Sequence, residues 1–119
     1  MEREWNVVGQ RLPMHDAAAK AKGSALFTDD LTFPGMLHGK ILRSPLAHAK
    51  ILHVDTSKAE KLRGVKGVVT GKDIPDRLYG IVPKARDEYA LAKGKVRYIG
   101  DEVAAVCAMD AEIAEEAID

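Results

Sequence analysis

Hydrophobic and polar residues alternate with a period of two over residues 36–43. Leu37 and Ile41 share one face there and Lys40 takes the other, which predicts a strand launched from the Pro34-Gly35 turn. Residues 47–54 repeat the pattern, Ala47, Ala49 and Ile51 alternating with His48 and Lys50. The link Ser44-Pro45-Leu46 is short, so the natural expectation is that these two strands pair antiparallel. At residue 55 the period changes. Ser57 followed by Glu60 has the spacing of a capping box, and Ala59 and Leu62 fall where a helix would face inward, so a short helix over 57–63 ending before Gly64 is expected.

Residues 65–70 return to strand character, and 71–75 read as a turn or single helical turn. The stretch 76–90 mixes Gly80, Pro83 and charges without period and is the longest loop; loops of this length are usually functional or mobile. Residues 95–99 and 102–109 flank Gly100-Asp101 and read as a hairpin. The run from Val103 to Ala108 is apolar at both parities, which predicts a central strand covered on both faces. Asp110 is placed to cap a last helix over 111–118, with Ile113, Ala114, Ala117 and Ile118 in one stripe. That helix runs to Asp119 with no glycine, proline or terminal cation to stop it, so the chain looks cut inside it. Residues 1–24, broken by Gly9, Pro13 and Gly23, read as irregular, with a short helix available to the alanines after Asp16. The fold class expected from the alternation of periods is α+β, a mixed sheet with short helices.

Composition narrows the function more than it reveals it. A chain of 119 residues, 46% hydrophobic, is expected to form one domain with a core. With 18 basic and 18 acidic residues there is no net charge to serve a nucleic acid or an anionic membrane surface. No apolar run reaches bilayer length, and the mixed-charge start Met-Glu-Arg-Glu-Trp lacks a signal-peptide segment, so a cytoplasmic protein is expected.

Candidate chemistry is thin. His15, His38, His48 and His53 show no metal-ligand spacing, and the single cysteine, Cys107, sits in the apolar run, where a thiol behaves as a small inert hydrophobe. The carboxylate pairs Asp29-Asp30, Asp87-Glu88, Asp101-Glu102 and Glu115-Glu116 are adjacent residues pointing apart; capping, turn and surface roles fit them better than acid–base work. No phosphate-binding glycine loop is present, and the glycines at 64, 67, 71 and 80 are spaced as turn makers. Ser44 has no histidine and acid at recognisable spacing. One segment keeps a functional reading. Over 78–89 Tyr79, Ile81, Val82 and Tyr89 lie on the long loop, either as a contact surface or tucked onto the core.

The stretch T-D-D-L-T-F-P-G-M-L-H-G-K-I-L-R-S-P, extended by L-A-H-A-K-I, closely resembles the entry motif of the hammerhead domain of the molybdenum hydroxylases, the xanthine dehydrogenase and aldehyde oxidase family. V-D-T-S-K-A-E-K-L-R-G-V-K-G-V-V-T-G-K-D-I-P and K-V-R-Y-I-G-D-E-V-A-A-V-C-A are similar to that domain's later elements, in family order, so the likeness covers residues 7–118. The departures are Arg63, where proline is frequent, and Asp101-Glu102, where Gln-Pro or Glu-Pro is usual. Y-G-I-V-P with D-E-Y-A-L-A-K-G-K-V-R-Y looks closest to the large subunits of 4-hydroxybenzoyl-CoA reductase and nicotinate dehydrogenase, and less like the xanthine and carbon monoxide enzymes.

The resemblance implies an α/β-hammerhead fold over 1–119, an N-terminal piece of a larger molybdopterin-binding subunit. It implies a parent oxidoreductase whose molybdopterin cofactor and catalytic residues lie in later domains, with iron–sulfur clusters and FAD elsewhere in the complex. No catalytic, cofactor-binding or metal residue transfers to this chain, which is expected to be inactive alone. The implied partners are the other domains of the subunit and the iron–sulfur and FAD subunits; an isolated chain is expected to self-associate through Ile113 and Ile118. In that family the segment before the last strand pair lies near the mouth of the molybdenum pocket, which makes Tyr79, Ile81 and Tyr89 candidates for a substrate funnel. The competing expectation is a stand-alone binding or assembly module that keeps the fold without catalysis.

Overall fold

The apolar run of residues 103–108 is threaded through the middle of a three-stranded antiparallel sheet, as its composition predicts. The computed structural model describes residues 6–82 and 84–119, so the opening five residues of the 1–24 stretch and Pro83 lie outside the described residues. Elements follow in the order α1 (Ala17–Ala21), a 3-10 turn (Thr28–Asp30), β1 (His38–Arg43), β2 (Ala49–Lys50), α2 (Ser57–Lys61), β3 (Val65–Thr70), β4 (Lys95–Val96), β5 (Glu102–Ala108) and α3 (Ala111–Glu116). Contacts divide the chain into two compact units, one up to Phe33 and one from Pro34 to Asp119.

In the first unit the alanine-rich stretch does form a helix, α1, carrying a surface ion pair between Lys20 and Asp16 at 2.7 Å. The Asp29-Asp30 pair has a capping role: the Asp30 carboxylate accepts the Phe27 N–H at 2.9 Å across the 3-10 turn.

In the second unit the sheet order is β1-β5-β3. Directly opposed residues of an antiparallel pair share a face. His38, Lys40 and Leu42 therefore lie with Ala108, Val106 and Ala104, and Val65 and Val68 join them from β3. The core sits on this face. Val106, Ala108 and Ala114 are buried, and Val65, Val68, Ile113, Ala117 and Ile118 pack around them. The α3 stripe is thus the one expected from sequence. Asp110 caps α3 by accepting the Ile113 N–H at 2.8 Å.

Five expectations are corrected. First, the two strands flanking Ser44-Pro45-Leu46 do not pair. β1 pairs with β5, while the second predicted strand shrinks to Ala49–Lys50 and pairs with β4 in a separate two-stranded sheet. The chain cannot turn back at Ser44, because its N–H donates to the Asp101 carbonyl (2.9 Å) and its carbonyl accepts from Gly100 (2.8 Å), locking it alongside β5. Second, β4 and β5 are consequently not a hairpin, although a turn does form around Gly100.

Third, the inward face of β1 carries His38, Lys40 and Leu42, and Ile41 is 42% exposed. A lysine holds an inward position because its stem lies along apolar surface while its amine reaches the Glu115 carboxylate on α3. Fourth, β5 is covered on one face only: Ala104, Val106 and Ala108 are buried, while Val103, Ala105 and Cys107 are half-buried, so Cys107 is not a core thiol. Fifth, Ile113 and Ile118 are half-buried against the core and do not form an exposed stripe.

The short helix α2 appears where expected, but its cap is Thr56 and not Ser57. The Ser57 N–H donates to the Asp55 carboxylate at 3.0 Å, and the Thr56 hydroxyl donates to Glu60 at 2.6 Å. The Ser57 backbone bond, followed by its side-chain bond, holds the Asp55 carboxyl below its ordinary range. Gly64 makes the passage from α2 to β3 with φ +103°, where a side chain is strained; a Cβ there would also come within 2.6 Å of Ile113 Cδ1.

Candidate functional site

Residues 76–90 form a tongue rather than a formless loop. Tyr79 and Glu88 make an isolated antiparallel bridge: the Tyr79 N–H donates to the Glu88 carbonyl (2.7 Å), and the Tyr79 carbonyl accepts from Asp87 (3.1 Å) and Glu88 (3.2 Å). Nearer the tip the Ala85 N–H donates to the Val82 carbonyl at 3.0 Å. The two limbs lie close together at Gly80, where a Cβ would run into the Ala85 carbonyl oxygen and lie 2.9 Å from Arg86 Cα. Glycine is required there for space.

The tongue divides the residues nominated from its sequence. Ile81 is fully exposed at the tip, with Val82 at 52% and Tyr79 at 45% exposure beside it. Tyr89 instead sits half-buried at the root. Its ring lies 5.3 Å from the Lys93 ammonium, which also donates to the Ile74 carbonyl at 3.1 Å and sits 3.5 Å from Asp76. Lys93 therefore ties the root together by a cation–π contact and hydrogen bonding. At the tip, the Arg77 guanidinium lies 5.6 Å from the Tyr79 ring centroid. The loop divides along its length: Tyr89 is half-buried, and Tyr79, Ile81 and Val82 present aromatic and aliphatic surface outward. Such surface offers contact area and a phenol hydroxyl. It carries no acid–base pair and no nucleophile.

A second cluster escaped the sequence reading. Arg43 at the end of β1 donates from Nη1 to the Gly100 carbonyl (2.8 Å) and to Glu102 Oε1 (2.6 Å), and the Tyr98 hydroxyl donates to Glu102 Oε2 (3.2 Å). Buried Asp101 accepts the Arg97 N–H at 2.8 Å. The Ser44 hydroxyl donates to the Leu46 carbonyl (3.0 Å) and accepts its N–H (3.1 Å). Burial works to raise the Glu102 carboxyl, but the Arg43 hydrogen bond, its own backbone N–H and the Tyr98 hydrogen bond together outweigh it and leave it below its ordinary value. Desolvation, then the neighbouring Glu102 charge, push the Tyr98 phenol up. This is a corner brace holding β1 to the β4–β5 turn, and Ser44 is a turn residue within it. The signal was present in Arg43-Ser44, but only the β1–β5 pairing brings Glu102 to meet them.

Beside this brace lies an open cleft of about 580 Å³, lined mainly by apolar side chains including Leu46, Ile51, Val54 and Val96. His53 is the one histidine on its wall; His48 lies 3.4 Å from Lys95 Nζ instead. Among the described residues no grouping of three His, Cys, Asp or Glu side chains could hold a metal ion. Nor do these residues fit a molybdopterin: the brace consumes its own donors, and the cleft offers mostly hydrocarbon. Among the described residues no helix is long and apolar enough to cross a membrane.

Known proteins share this fold. The family model described as aldehyde oxidase and xanthine dehydrogenase, a/b hammerhead domain, matches residues 22–119. A probable xanthine dehydrogenase subunit of Bacillus subtilis (strain 168) is 49% identical over 105 residues, covering 87% of this chain and 14% of that protein. The nicotinate dehydrogenase large molybdopterin subunit of Eubacterium barkeri is 37% identical over 120 residues, 100% of this chain and 28% of the relative. The crystal structure of the aldehyde oxidoreductase from Desulfovibrio desulfuricans ATCC 27774 superimposes with a TM-score of 0.80 at 33% identity, over 93% of this chain and 14% of that one. The two small sheets and short helices are those of the α/β hammerhead, as the motif resemblance implied. The chain spans between about one seventh and somewhat over one quarter of the length of these relatives.

Proposed function

The chain belongs to the aldehyde oxidase and xanthine dehydrogenase family, as its a/b hammerhead domain, and we propose that it serves as a non-catalytic, opening domain of a molybdenum-dependent oxidoreductase large subunit. In this reading it docks on the other domains of that subunit, which hold the molybdopterin, within a cytoplasmic complex whose iron–sulfur clusters and FAD sit on further domains or subunits. The observation that carries the reading is the match over the whole second unit and the end of the first, combined with side chains that spend their polar groups on bracing. We further infer that the tongue lines the substrate entrance, with Tyr79 and Ile81 toward the passage and Tyr89 anchoring the root. Its support is the exposure of the tip and the tight bridge that holds it out.

The test is a graft: this chain replaces the matching segment of the Bacillus subtilis relative, and molybdenum content and turnover are measured. A graft that retains metal and turnover near the unmodified level supports the domain reading. One that folds poorly or loses its metal favours a stand-alone module. Within an active graft, Tyr79→Ala should raise KM or relax substrate choice with a modest loss of kcat, because a side chain at an entrance acts on binding more than on the chemical step. A fall in melting temperature with unchanged specificity would make the tongue scaffold only.

A further inference from the structure

Two rows of the sheet face opposite the helices are apolar and have no cover from the sheet's own helices; the next row along carries the Arg43–Glu102 ion pair of the brace. Register places Gly39, Cys107 and Gly67 in one row across the three strands, and Ile41, Ala105 and Val69 in the next. Ile41 and Val69 are each 42% exposed. They stand either side of the small Ala105, so they wall a shallow trough along β5, which opens out over the two glycines. A Cβ added at Gly39 would meet nothing nearer than the Val106 carbonyl at 3.8 Å, and one at Gly67 only Cys107 Sγ at 3.4 Å. None of these six residues carries a charge. An antiparallel sheet with one solvated face normally alternates polar residues outward. This one alternates apolar and small.

We propose that this trough is the docking face for an uncharged, apolar segment of the same large-subunit polypeptide, from the part beyond these residues. The proposal rests on the large-subunit reading above and adds which face of the domain is used. Two observations choose the occupant. The chain covers only 14% of its Bacillus subtilis relative, so such a polypeptide has ample further chain to supply the segment. The patch is also too small for a dimer to depend on. Three strands about 4.8 Å apart and two rows about 7 Å apart give on the order of 100–200 Å², against the ~800 Å² per partner typical of a stable interface. Within one subunit the same patch needs no such area, because the segment is tethered at high effective concentration.

Cys107, the only cysteine in the chain, sits in the trough and reports on it directly. The experiment compares iodoacetamide alkylation of Cys107, read by mass spectrometry of its peptide, in the isolated chain and in the graft described above. The expected result is ready alkylation in the isolated chain, independent of its concentration, and alkylation slowed on the order of tenfold or more in the graft. A graft that keeps its molybdenum but leaves Cys107 as reactive as in the isolated chain overturns the docking face while leaving the large-subunit reading intact. A graft that fails to assemble overturns both. Protection that grows with the concentration of the isolated chain means a second copy covers the trough, and an isolated chain whose Cys107 is inert means the trough is already closed; either result refutes the proposal.

Discussion

Ala104, Val106 and Ala108 on one side of β5, and Ala105 and Cys107 on the other, are neighbours in sequence and equally apolar, yet they live in different surroundings. The even positions are buried under α3 and beside β3, with Ala108 at 0% exposure. The odd positions remain half open, Ala105 between Ile41 and Val69 and Cys107 between Gly39 and Gly67. The difference teaches that a doubly apolar strand encodes two interfaces. It does not say that one short chain completes both. One face is finished by local helices, which adjoin β3 and β5 within a few residues. The other has no local element to cover it, and the docking proposal has it finished from elsewhere in a larger subunit.

Substitution on the closed face should have the largest effect. Val106→Asp places a carboxylate among Ala114, Ile113 and Val68, against the stem of Lys40 whose amine is engaged by Glu115, and should cost roughly 3 kcal/mol or more, enough to leave the isolated chain largely unfolded by circular dichroism at 25 °C. Asp110→Ala removes the cap that holds α3 onto this face and should cost ~1 kcal/mol, seen as a lower urea midpoint with unchanged m-value. Both changes sharpen the contrast by loosening only the helix-covered side.

The corner brace between the two faces titrates. The Glu102 carboxyl is held below its ordinary value of 4.5, so its contribution to stability is complete above that value and fades as pH falls through the folded-state pKa. Asp55 and Asp73 are lowered with the same sign, the latter by the Thr70 backbone and hydroxyl bonds. Urea midpoints should therefore fall below pH 4.5 in the unsubstituted chain. The gap between that chain and Glu102→Gln should close over the same window while the Asp contributions persist in both. A gap that stays constant from pH 7 to pH 3 would remove Glu102 from the brace. Smaller still in global effect is Gly80→Ala. The added methyl has to displace the Ala85 carbonyl, so limited proteolysis within 80–86 should speed up while the melting temperature hardly moves.

What the sequence disclosed was local. β3, α3 and the Asp110 cap lie where period and capping residues put them, and α2 where its period puts it although its cap is Thr56, because those signals depend on neighbours within a turn. Pairing was not legible. Nothing within Ser44-Pro45-Leu46 announces that Ser44 will bond to Gly100 and Asp101, more than fifty residues away, and so send β1 to β5. The inward face of β1 was misjudged because Lys40 counts as polar in any alternation, while in the fold its amine escapes to Glu115. The tongue was legible as a loop with exposed apolar residues. Its Tyr79–Glu88 bridge was not, since a single bridge imposes no period. The uncovered face of β5 was hidden for a different reason: a run apolar at both parities reads the same whether its second cover lies inside the chain or outside it.

The most direct measurement places the same charge one residue away from Val106. Ala105→Asp puts a carboxylate into the open trough, where water still reaches it in the isolated chain. Its stability should fall by less than the ~1 kcal/mol span of strand propensities, far short of Val106→Asp. In the graft, that same substitution should abolish assembly and molybdenum retention, because the charge would be sealed beneath the docked segment. If Ala105→Asp unfolds the isolated chain as Val106→Asp does, or if the Ala105→Asp graft assembles with full metal content, the two faces of β5 are not the closed and the docking face of a hammerhead domain.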